Sequence, residues 1–439
     1  MRASLHAGAG ASLQACATPR DADPDEPSAP SHAHVIGLRA PALERVRVGV
    51  IGTGARGQVL TRLLAGIEGV ELRALCDVDA RALAAATKLG ADAGRGTPLG
   101  FGERGDDDYL RMLDTVELDL AIVATPWRFH VPMTLAALER GVHAGVEVPI
   151  AYTLDDCWAV IEAAERTRVH CMMLENVCYG RLEMMTLQMV AAGLFGELTH
   201  GEGAYIHNLS GQLGGTTSES LWRPAHHLVR DGNLYPTHGL GPIAQCMGIH
   251  AGDRLASLVS MSSPALGRKA HALRALGPDA PEAKLDYRCG DINTSIIKTA
   301  RGRTILVQHD TTTPRPYTRI HHIQGTRGAL RGFPGRVALV DAEHGGHEWL
   351  DADRFQAEYD HPLWRRHRPE ATGHADAHGG MDYVMLARLI EQLRAGEAMD
   401  MSVYDGVAWS SVSPLSEASV AAGGAPVEVP DFTRGAWRV

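Results

Sequence analysis

Residues 46–57, with the sequence VRVGVIGTGARG, decide the fold. They predict a short apolar strand, a turn with the spacing G-x-G-x-x-G, and the start of a helix. In such a turn Gly52 permits the tight bend, Gly54 lets a pyrophosphate approach the backbone, and Gly57 lets the helix pack on the strand. The amides and the positive dipole end of the helix N-terminus favour phosphate there. The stretch therefore predicts a dinucleotide-binding domain.

An acidic residue follows this turn at the distance that such domains require. Val70–Cys76 predicts the second strand, and Asp77 ends it twenty residues after Gly57. A carboxylate at this point binds the ribose hydroxyls of NAD, whereas Asp77 and Asp79 would repel the 2′-phosphate of NADP. NAD is therefore the predicted cofactor. The alternative is a glycine-rich turn that binds no nucleotide.

Strands and helices alternate from residue 46 to about residue 174. Apolar runs predict strands at 118–124, 142–146 and 169–174, and helical spacing predicts helices at 58–67, 79–89, 131–140 and 154–168. We expect Thr153 to cap the last of these helices and residues 90–105 to form a surface loop. Alternating units of this kind predict the α/β class, with a doubly wound parallel sheet in an N-terminal Rossmann domain.

The pattern changes after about residue 176. Residues 199–207, 294–299 and 304–308 alternate apolar and polar side chains, and Gly302 stands in a turn between the last two segments. These features predict a hairpin in a large open antiparallel sheet with helices on one side. A late amphipathic helix is predicted at 381–394. We expect a leader and linker at 1–44, an NAD-binding domain at 45–175, and an α+β substrate domain at 176–439 whose C-terminal segment packs back on the first domain.

Residues 1–44 differ from the rest of the chain. The segment 20–34, RDADPDEPSAPSHAH, has almost no large apolar side chain and predicts a linker. Before it, Leu13-Gln14-Ala15-Cys16 resembles the end of an export signal with a lipoprotein-type cysteine, although a twin-arginine pair is missing. A start upstream of Met1 would account for the missing arginines. Two expectations stay open: a periplasmic or cell-envelope protein with such a leader, and a cytoplasmic enzyme with a disordered extension.

Composition argues against several partners. The 439 residues carry a formal net charge of -10, which disfavours a nucleic-acid or anionic-membrane surface. No segment approaches the ~18 apolar residues of a membrane span. The two pairs of adjacent histidines, at 226–227 and 321–322, lack the carboxylates and spacing of a zinc site, so no metal is predicted. Without a CxxC pair, buried free thiols are expected at Cys76, Cys171, Cys178 and Cys246.

Two clusters stand at the carboxyl ends of predicted strands. Ala124-Thr-Pro-Trp127-Arg-Phe-His130 and Glu147-Val148-Pro149 resemble the T-P-x-x-x-H and E-K-P motifs of the glucose–fructose oxidoreductase and inositol dehydrogenase family, often called Gfo/Idh/MocA. The resemblance implies a Rossmann domain followed by an α/β domain with an open antiparallel sheet. Val148 replaces a lysine that helps the sugar dehydrogenases of that family to deprotonate the substrate hydroxyl. His238 matches the histidine of their D-x-x-x-H motif, but Leu234 replaces the aspartate.

Several further motifs carry a narrower resemblance. In chain order they are Glu175-Asn-Val-Cys-Tyr179, Gly193-Leu-Phe-Gly-Glu197, Leu234-Tyr-Pro-Thr-His238-Gly-Leu-Gly-Pro242, Gly290-Asp-Ile, His309-Asp and Pro314-Arg-Pro-Tyr317. They resemble glycoside hydrolase family 109, the NAD-dependent α-N-acetylgalactosaminidases. The resemblance implies that tightly bound NAD takes a hydride from C3 of the sugar, a base removes the C2 proton, the C1 group leaves by elimination, water adds, and the hydride returns. NAD is thereby recycled, and the net reaction is hydrolysis with retained anomeric configuration.

This chemistry needs a general base, groups that stabilise an enolate, and donors that orient the sugar. His238 is the first candidate for the base, because histidine titrates near neutrality. Tyr235 and Tyr179 are candidates for proton transfer or enolate stabilisation. The resemblance implies sugar contacts from Tyr205, Arg223, Tyr235, Pro236, Thr237, His238 and Tyr317. It implies cofactor contacts, beyond the three glycines, from Ala55, Arg56, Asp77, Trp127, Arg128, Phe129, His130, Glu147, Val148 and Asn176.

Ordinary structural roles and other functions remain as alternatives. Tyr235-Pro-Thr could be a turn with His238 satisfied in the core, Trp127 could be core packing, and Glu147 could be a surface acid. The chain could instead be a sugar or polyol dehydrogenase that releases NADH, which Val148 disfavours, or an NAD- and sugar-binding protein without turnover. We expect a glycan or small-molecule substrate with terminal α-N-acetylgalactosamine, and a homo-oligomer. The exact sugar stays open because related sugars differ by few contacts.

Overall fold

The computed structural model of the chain describes residues 34–94, 96–212, 218–342 and 345–438. Its first sheet is built from β1 (Val46–Ile51), β2 (Val70–Cys76), β3 (Leu99–Phe101), β4 (Leu120–Val123), β5 (His143–Val146) and β6 (Cys171–Met173). All pairs are parallel, and the described strands lie in the order β3-β2-β1-β4-β5-β6. This is the strand order of a Rossmann fold, as the alternating pattern predicted.

Helices connect these strands. They are α1 (Ala55–Gly66), α2 (Ala80–Asp92), α3 (Asp108–Thr115), α4 (His130–Leu138) and α5 (Leu154–Thr167). The Thr153 side chain accepts a hydrogen bond from the Asp156 amide at 3.1 Å, so the predicted cap of α5 is confirmed. Two predictions were less accurate. The first helix begins at Ala55 rather than 58, directly at the glycine turn, and β3 lies inside the stretch that we expected to be loop.

The second sheet follows from residue 198 onward. Its described strands are β7 (Leu198–Ile206), β8 (Leu255–Ser262), β9 (Ile292–Thr299), β10 (Thr304–Asp310), β11 (His322–Gly325), β12 (Gly328–Arg331), β13 (Arg336–Leu339), β14 (Leu350–Asp351) and β15 (Val427–Glu428). They lie in the order β14-β13-β12-β11-β7-β10-β9-β8-β15. Neighbours are antiparallel except β7 and β10, which are parallel. The predicted hairpin joins β9 to β10, and Gly302 in its turn has a positive φ of 83°.

The remaining helices belong to the second half of the chain. They are α6 (Arg181–Ala191), α7 (Arg223–Val229), α8 (Thr237–Cys246), α9 (Gly267–Ala275), α10 (Pro281–Lys284), α11 (Gln356–Tyr359), α12 (Pro362–Gly373), α13 (Met381–Ala395) and α14 (Val403–Ala421). The last of them returns to the first sheet. The Ser410 hydroxyl on α14 accepts from the Ile150 amide at 3.2 Å, and Tyr404 donates to Glu165 on α5 at 2.6 Å.

Residues 34–44 precede the first strand and contact the folded chain. Val35 is buried, and its amide donates to the Tyr404 hydroxyl at 3.2 Å. The Leu43 amide donates to the carbonyl oxygen of Leu393 at 3.2 Å. This part of the predicted leader and linker therefore packs on α13 and α14. The segment that resembles an export signal, with Cys16, and most of the predicted linker lie outside the described residues.

Cysteine chemistry agrees with the sequence-based expectation. The cysteines in the described part of the chain are buried and free: Cys76, Cys157, Cys171, Cys178, Cys246 and Cys289. Burial raises the pKa of the Cys76 and Cys171 thiols to about 12, so both stay protonated and unreactive at neutral pH. Among the described helices, none is long and apolar enough to cross a membrane.

Candidate active site

The turn after β1 forms a cradle for a phosphate group. Gly52 has a φ of 88°, and a side chain there would collide with the carbonyl of Ala124. A side chain on Gly57 would collide with the carbonyl oxygen of Gly52. Since both positions must be glycine, α1 can pack closely against the turn and present its N-terminal amides to a bound anion.

The carboxylate of Asp77 lies beside this cradle. One of its oxygens accepts from the Thr53 amide at 2.6 Å and from the Thr53 hydroxyl at 3.2 Å, and the other accepts from the Asp79 amide at 2.8 Å. These bonds fix the carboxylate at the end of β2, and its remaining lone pairs can still accept from hydroxyl groups. The cradle and the acid together fit the pyrophosphate and ribose of NAD.

His130 ties together the segments that follow β4 and β5. Its buried ring lies between the carbonyl oxygens of Pro149, at 2.7 Å from Nδ1, and Thr125, at 2.8 Å from Nε2. Burial lowers the pKa of His130, so the ring is neutral and donates to one of these carbonyls at a time. Val148, next to Pro149, is also buried and offers no proton to transfer.

A buried ionic network lies next to the glycine turn. Arg56 contacts Glu147 through Nε at 2.6 Å and Asp382 through both terminal nitrogens, at 2.6 and 3.1 Å. Asp382 also accepts from Asn176 at 2.7 Å and from His378 at 2.8 Å. Burial would raise the pKa of Asp382, but Arg56 and His378 hold it well below its usual range. Its stabilising effect is therefore present at neutral pH and is lost as the pH falls through that lowered pKa.

His238 is oriented by a buried carboxylate. Its Nδ1 lies 2.7 Å from Oε1 of Glu175, which also accepts from the Val177 amide at 3.1 Å. Among the hydrogen bonds of the described residues, none involves Nε2 of His238. A carboxylate that binds Nδ1–H fixes the tautomer and leaves Nε2 as a proton acceptor, which is the arrangement of an oriented general base.

A close contact between β7 and α8 brings His238 to this position. Side chains on Gly203 and Gly239 would collide with the backbone of the opposite element. Because both are glycine, the first turn of α8 lies directly on β7, and the His238 ring centroid lies 5.3 Å from that of Tyr205. The segment Tyr235-Pro-Thr is therefore a turn at a helix start, which is the structural role that the sequence left as an alternative. The same turn also places His238 in the site.

Aromatic rings join the residues predicted to bind the sugar to those predicted to bind the cofactor. The Tyr235 ring lies 4.5 Å from Tyr205, 4.9 Å from His238 and 6.2 Å from Trp127. The Arg223 guanidinium lies 5.2 Å from the Tyr235 ring and 5.7 Å from the Trp127 ring. Burial raises the pKa of Tyr235 well above its ordinary value, so its hydroxyl remains a hydrogen-bond donor at neutral pH.

Tyr317 lies at the exposed edge of the same group, with 42% of the residue accessible. Arg319 donates to its hydroxyl at 2.9 Å and is itself held by the buried carboxylate of Glu183 at 2.7 Å. His207 links Tyr317 to the centre, since its ring lies 5.1 Å from Tyr317 and its Nδ1 lies 3.0 Å from the Tyr205 hydroxyl. The predicted sugar-binding tyrosines therefore belong to one connected group.

Tyr179 lies apart from this group. Its hydroxyl donates to Asp400 at 3.3 Å, and the residue lines a separate cavity of about 550 Å³ with Arg388. Among the hydrogen bonds and ring contacts of the described residues, none joins Tyr179 to His238. Burial raises the pKa of Tyr179 well above its ordinary value. Its predicted catalytic role stays a prediction that these contacts do not support.

The other predicted residues occupy the expected elements. Pro236 is the N-cap residue of α8 and Thr237 its first residue, and Trp127 is buried at the start of a short 3₁₀ turn. Arg128 is exposed in that turn, with its guanidinium 4.4 Å from the Phe129 ring. Within the described chain, no group of three or more histidine, cysteine or acidic residues could hold a metal ion.

Sequence reasoning missed the residues that orient others. Glu175, Asp382 and Glu183 were not singled out, although Glu175 begins a motif that carried the family resemblance. The one available signal was its position, an acid directly after a predicted buried strand. Asp382 and Glu183 lie in helices whose acidic residues look like ordinary surface charges in the sequence.

The first part of the chain has the fold of NAD-binding oxidoreductases. Residues 46–175 match the family described as oxidoreductase family, NAD-binding Rossmann fold. A levoglucosan dehydrogenase in complex with NADH and levoglucosan has a TM-score of 0.67 and 17% identity, over 88% of this chain and 100% of that one. Myo-inositol 2-dehydrogenase from Lactobacillus plantarum has a TM-score of 0.62 and 17% identity, over the same shares. The chain thus has the Gfo/Idh/MocA fold.

The second half identifies the family. Residues 179–439 match the family described as glycosyl hydrolase 109, C-terminal domain. A glycosyl hydrolase family 109 protein from Shewanella amazonensis is 48% identical over 441 residues, which cover 100% of this chain and 96% of that protein. Another, from Shewanella sp. strain W3-18-1, is 51% identical over 92% of this chain and 88% of that protein. The chain belongs to glycosyl hydrolase family 109, which confirms the resemblance seen in its motifs.

Proposed function

We propose that this chain hydrolyses terminal α-N-acetylgalactosamine with retention, by oxidation at C3 of the sugar, elimination, addition of water and reduction. The observation that carries the proposal is the His238–Glu175 pair, which lies among Tyr205 and Tyr235 and is connected to the cofactor side through Trp127. Family membership supports a glycosidase, and the motifs of the chain supported N-acetylgalactosamine as the sugar.

The residues of the chain divide the work. When bound, NAD would take a hydride from C3 and return it at the end of the cycle. His238, oriented through Nδ1 by Glu175, offers Nε2 to the C2 proton, which a carbonyl at C3 makes acidic. Tyr235, protonated because it is buried, can donate a hydrogen bond to the enolate oxygen that then develops.

Other side chains would hold the sugar. Tyr205 contacts His238, Arg223 lies against Tyr235, and Tyr317 lies against His207, so these side chains can fix the sugar ring relative to the base. Val148 supports a glycosidase over a sugar dehydrogenase, because a buried valine cannot take the hydroxyl proton that a lysine takes in those enzymes. Both the hydroxyl proton released at C3 and the proton at C2 then fall to the segment that contains Tyr235 and His238.

A chromogenic assay tests the proposal. Protein purified without added NAD should release p-nitrophenol from p-nitrophenyl α-N-acetylgalactosaminide, because the cofactor stays bound and is regenerated in each cycle. The β-anomer serves as the control substrate, and the absorbance of NADH is followed in the same cuvette. Accumulation of NADH without phenol release would point to the dehydrogenase instead. Neither signal, with NAD present in the protein, would leave a binding protein without turnover.

A further inference from the structure

Arg268 is buried, and no described carboxylate forms an ion pair with it. It stands in the first turn of α9, and only 3% of the residue is accessible. Nε and Nη1 of its guanidinium have no hydrogen-bond partner in the described part of the chain, and Nη2 contacts only Nε2 of His227, at 3.3 Å. The three nitrogens of this permanently charged group, which carry five N–H donors, thus face the interior with one weak contact among them.

Two neutral histidines complete a cationic cluster around Arg268. His227 and His309 are 3% and 2% accessible, their ring centroids lie 6.2 Å apart, and Nδ1 of each is buried without a partner among the described residues. Burial, together with the charges of Arg268 and Arg223, lowers the pKa of His309 to about 3. The positive charge of the cluster therefore comes from the guanidinium, and each imidazole can supply a further hydrogen bond.

An anion is the partner that this arrangement lacks. A guanidinium cannot lose its charge in a protein, and burying it without a partner is strongly unfavourable. Water could satisfy the donors but not the charge. The nearby carboxylate of Asp291 is already used, since it accepts from the amides of Leu266 and Gly267 and from the Thr312 hydroxyl.

The cluster adjoins the candidate sugar site. His309 on β10 is the register partner of Tyr205 on β7, so the two side chains lie side by side on one face of the sheet. His227 stands one helical turn after Arg223 on α7, and the Arg223 guanidinium lies against the Tyr235 ring. A group bound by Arg268 would therefore be a close neighbour of the sugar.

We propose that Arg268, His227 and His309 form a binding site for a small oxyanion, a carboxylate or a sulfate, beside the sugar site. The anion has two sources: an acidic substituent of the glycan, or a free inorganic ion. An anion from either source would supply the negative charge that is missing opposite the Arg268 guanidinium, and it would accept hydrogen bonds from Nε and Nη1. Binding of the anion requires Arg268 and the two histidines and does not depend on which sugar is cleaved.

Equilibrium dialysis of the full chain against radiolabelled inorganic sulfate, at constant ionic strength, tests the site. We expect saturable binding of one sulfate per chain, weakened about tenfold or more in Arg268→Gln, because charge-assisted hydrogen bonds are lost. The matched control is Arg274→Gln on the exposed part of α9, which should bind sulfate like the parent protein. The thermal midpoint of each variant reports whether it folds. His309→Gln provides a second weakened variant if Arg268→Gln fails to fold.

Kinetics then separate the two sources. If the anion belongs to the glycan, a sulfated p-nitrophenyl α-N-acetylgalactosaminide should have a higher kcat/KM than the neutral one, and inorganic sulfate should compete only with the sulfated substrate. If the anion is free, inorganic sulfate should change turnover of the neutral substrate, and Arg268→Gln should abolish that response. Absence of saturable sulfate binding to the parent protein, or equal binding by Arg268→Gln, would overturn the proposal whatever the glycosidase assay shows.

Discussion

His238→Ala is expected to lower turnover of p-nitrophenyl α-N-acetylgalactosaminide by about 10²-fold or more, while the NAD content of the protein stays unchanged. Loss of a positioned general base typically costs this much. His238 is held by Glu175 on the sugar side of the site, and the cofactor cradle is built from other residues. The measurements are steady-state kcat and the nicotinamide released on denaturation.

Two further variants show whether the histidine acts as a base. Glu175→Gln should lower kcat with little change in KM, because an amide can donate to Nδ1 and would place the proton of the ring on Nε2. His200→Ala is the matched control. His200 lies on β7, at the opposite end of the strand from Tyr205, and its side chain contacts Thr304. If His238→Ala turns over as fast as the His200→Ala control, His238 is not the general base.

Asp382→Ala is expected to have the largest effect on stability. It removes the partner of Arg56, Asn176 and His378 in one step and leaves the buried guanidinium with Glu147 alone. Removing one member of a buried ion pair costs roughly 3–5 kcal/mol, and we expect the lower end because Glu147 remains. The thermal midpoint should fall by several degrees, and NAD content should fall with it, since Asn176 loses its anchor.

Asp376→Ala is the matched control for this prediction. Asp376 pairs with Arg62, which like Arg56 stands on α1, but this pair is exposed to solvent. Exposed pairs contribute little because water screens them. If Asp382→Ala lowers the midpoint no more than Asp376→Ala does, the buried network does not stabilise the contact between α1 and α13.

The first sheet could be predicted because its signals are local. Strands buried on both faces appear as continuous apolar runs, and the glycine spacing with Asp77 identifies the turn without knowledge of tertiary contacts. The three-residue strand β3 was not predicted because it has one buried side chain, Phe101, between two glycines. The parallel pairing of β7 with β10 was not predicted either, because the sequence of a strand does not show the direction of a neighbouring strand that is distant in the chain.

The candidate site was predicted in its members more than in its connections. His238, Tyr205 and Tyr235 could be named from motifs, but Glu175 precedes His238 by 63 residues, and their contact depends on how α8 packs on β7. Asp382 lies 326 residues from Arg56, and its role follows from the return of α13 to α1. Such pairings are set by tertiary packing, so local sequence patterns cannot show them.

Hydrolysis in heavy water shows whether cleavage proceeds through removal of the proton at C2. Unlabelled p-nitrophenyl α-N-acetylgalactosaminide is converted by the purified chain, and the released sugar is analysed by proton NMR. Free N-acetylgalactosamine kept in the same buffer without protein controls for spontaneous exchange. The released sugar is expected to carry deuterium at C2 and to keep its original hydrogen at C3. Complete hydrolysis with no deuterium at C2 would contradict removal of the C2 proton and would favour direct displacement at C1.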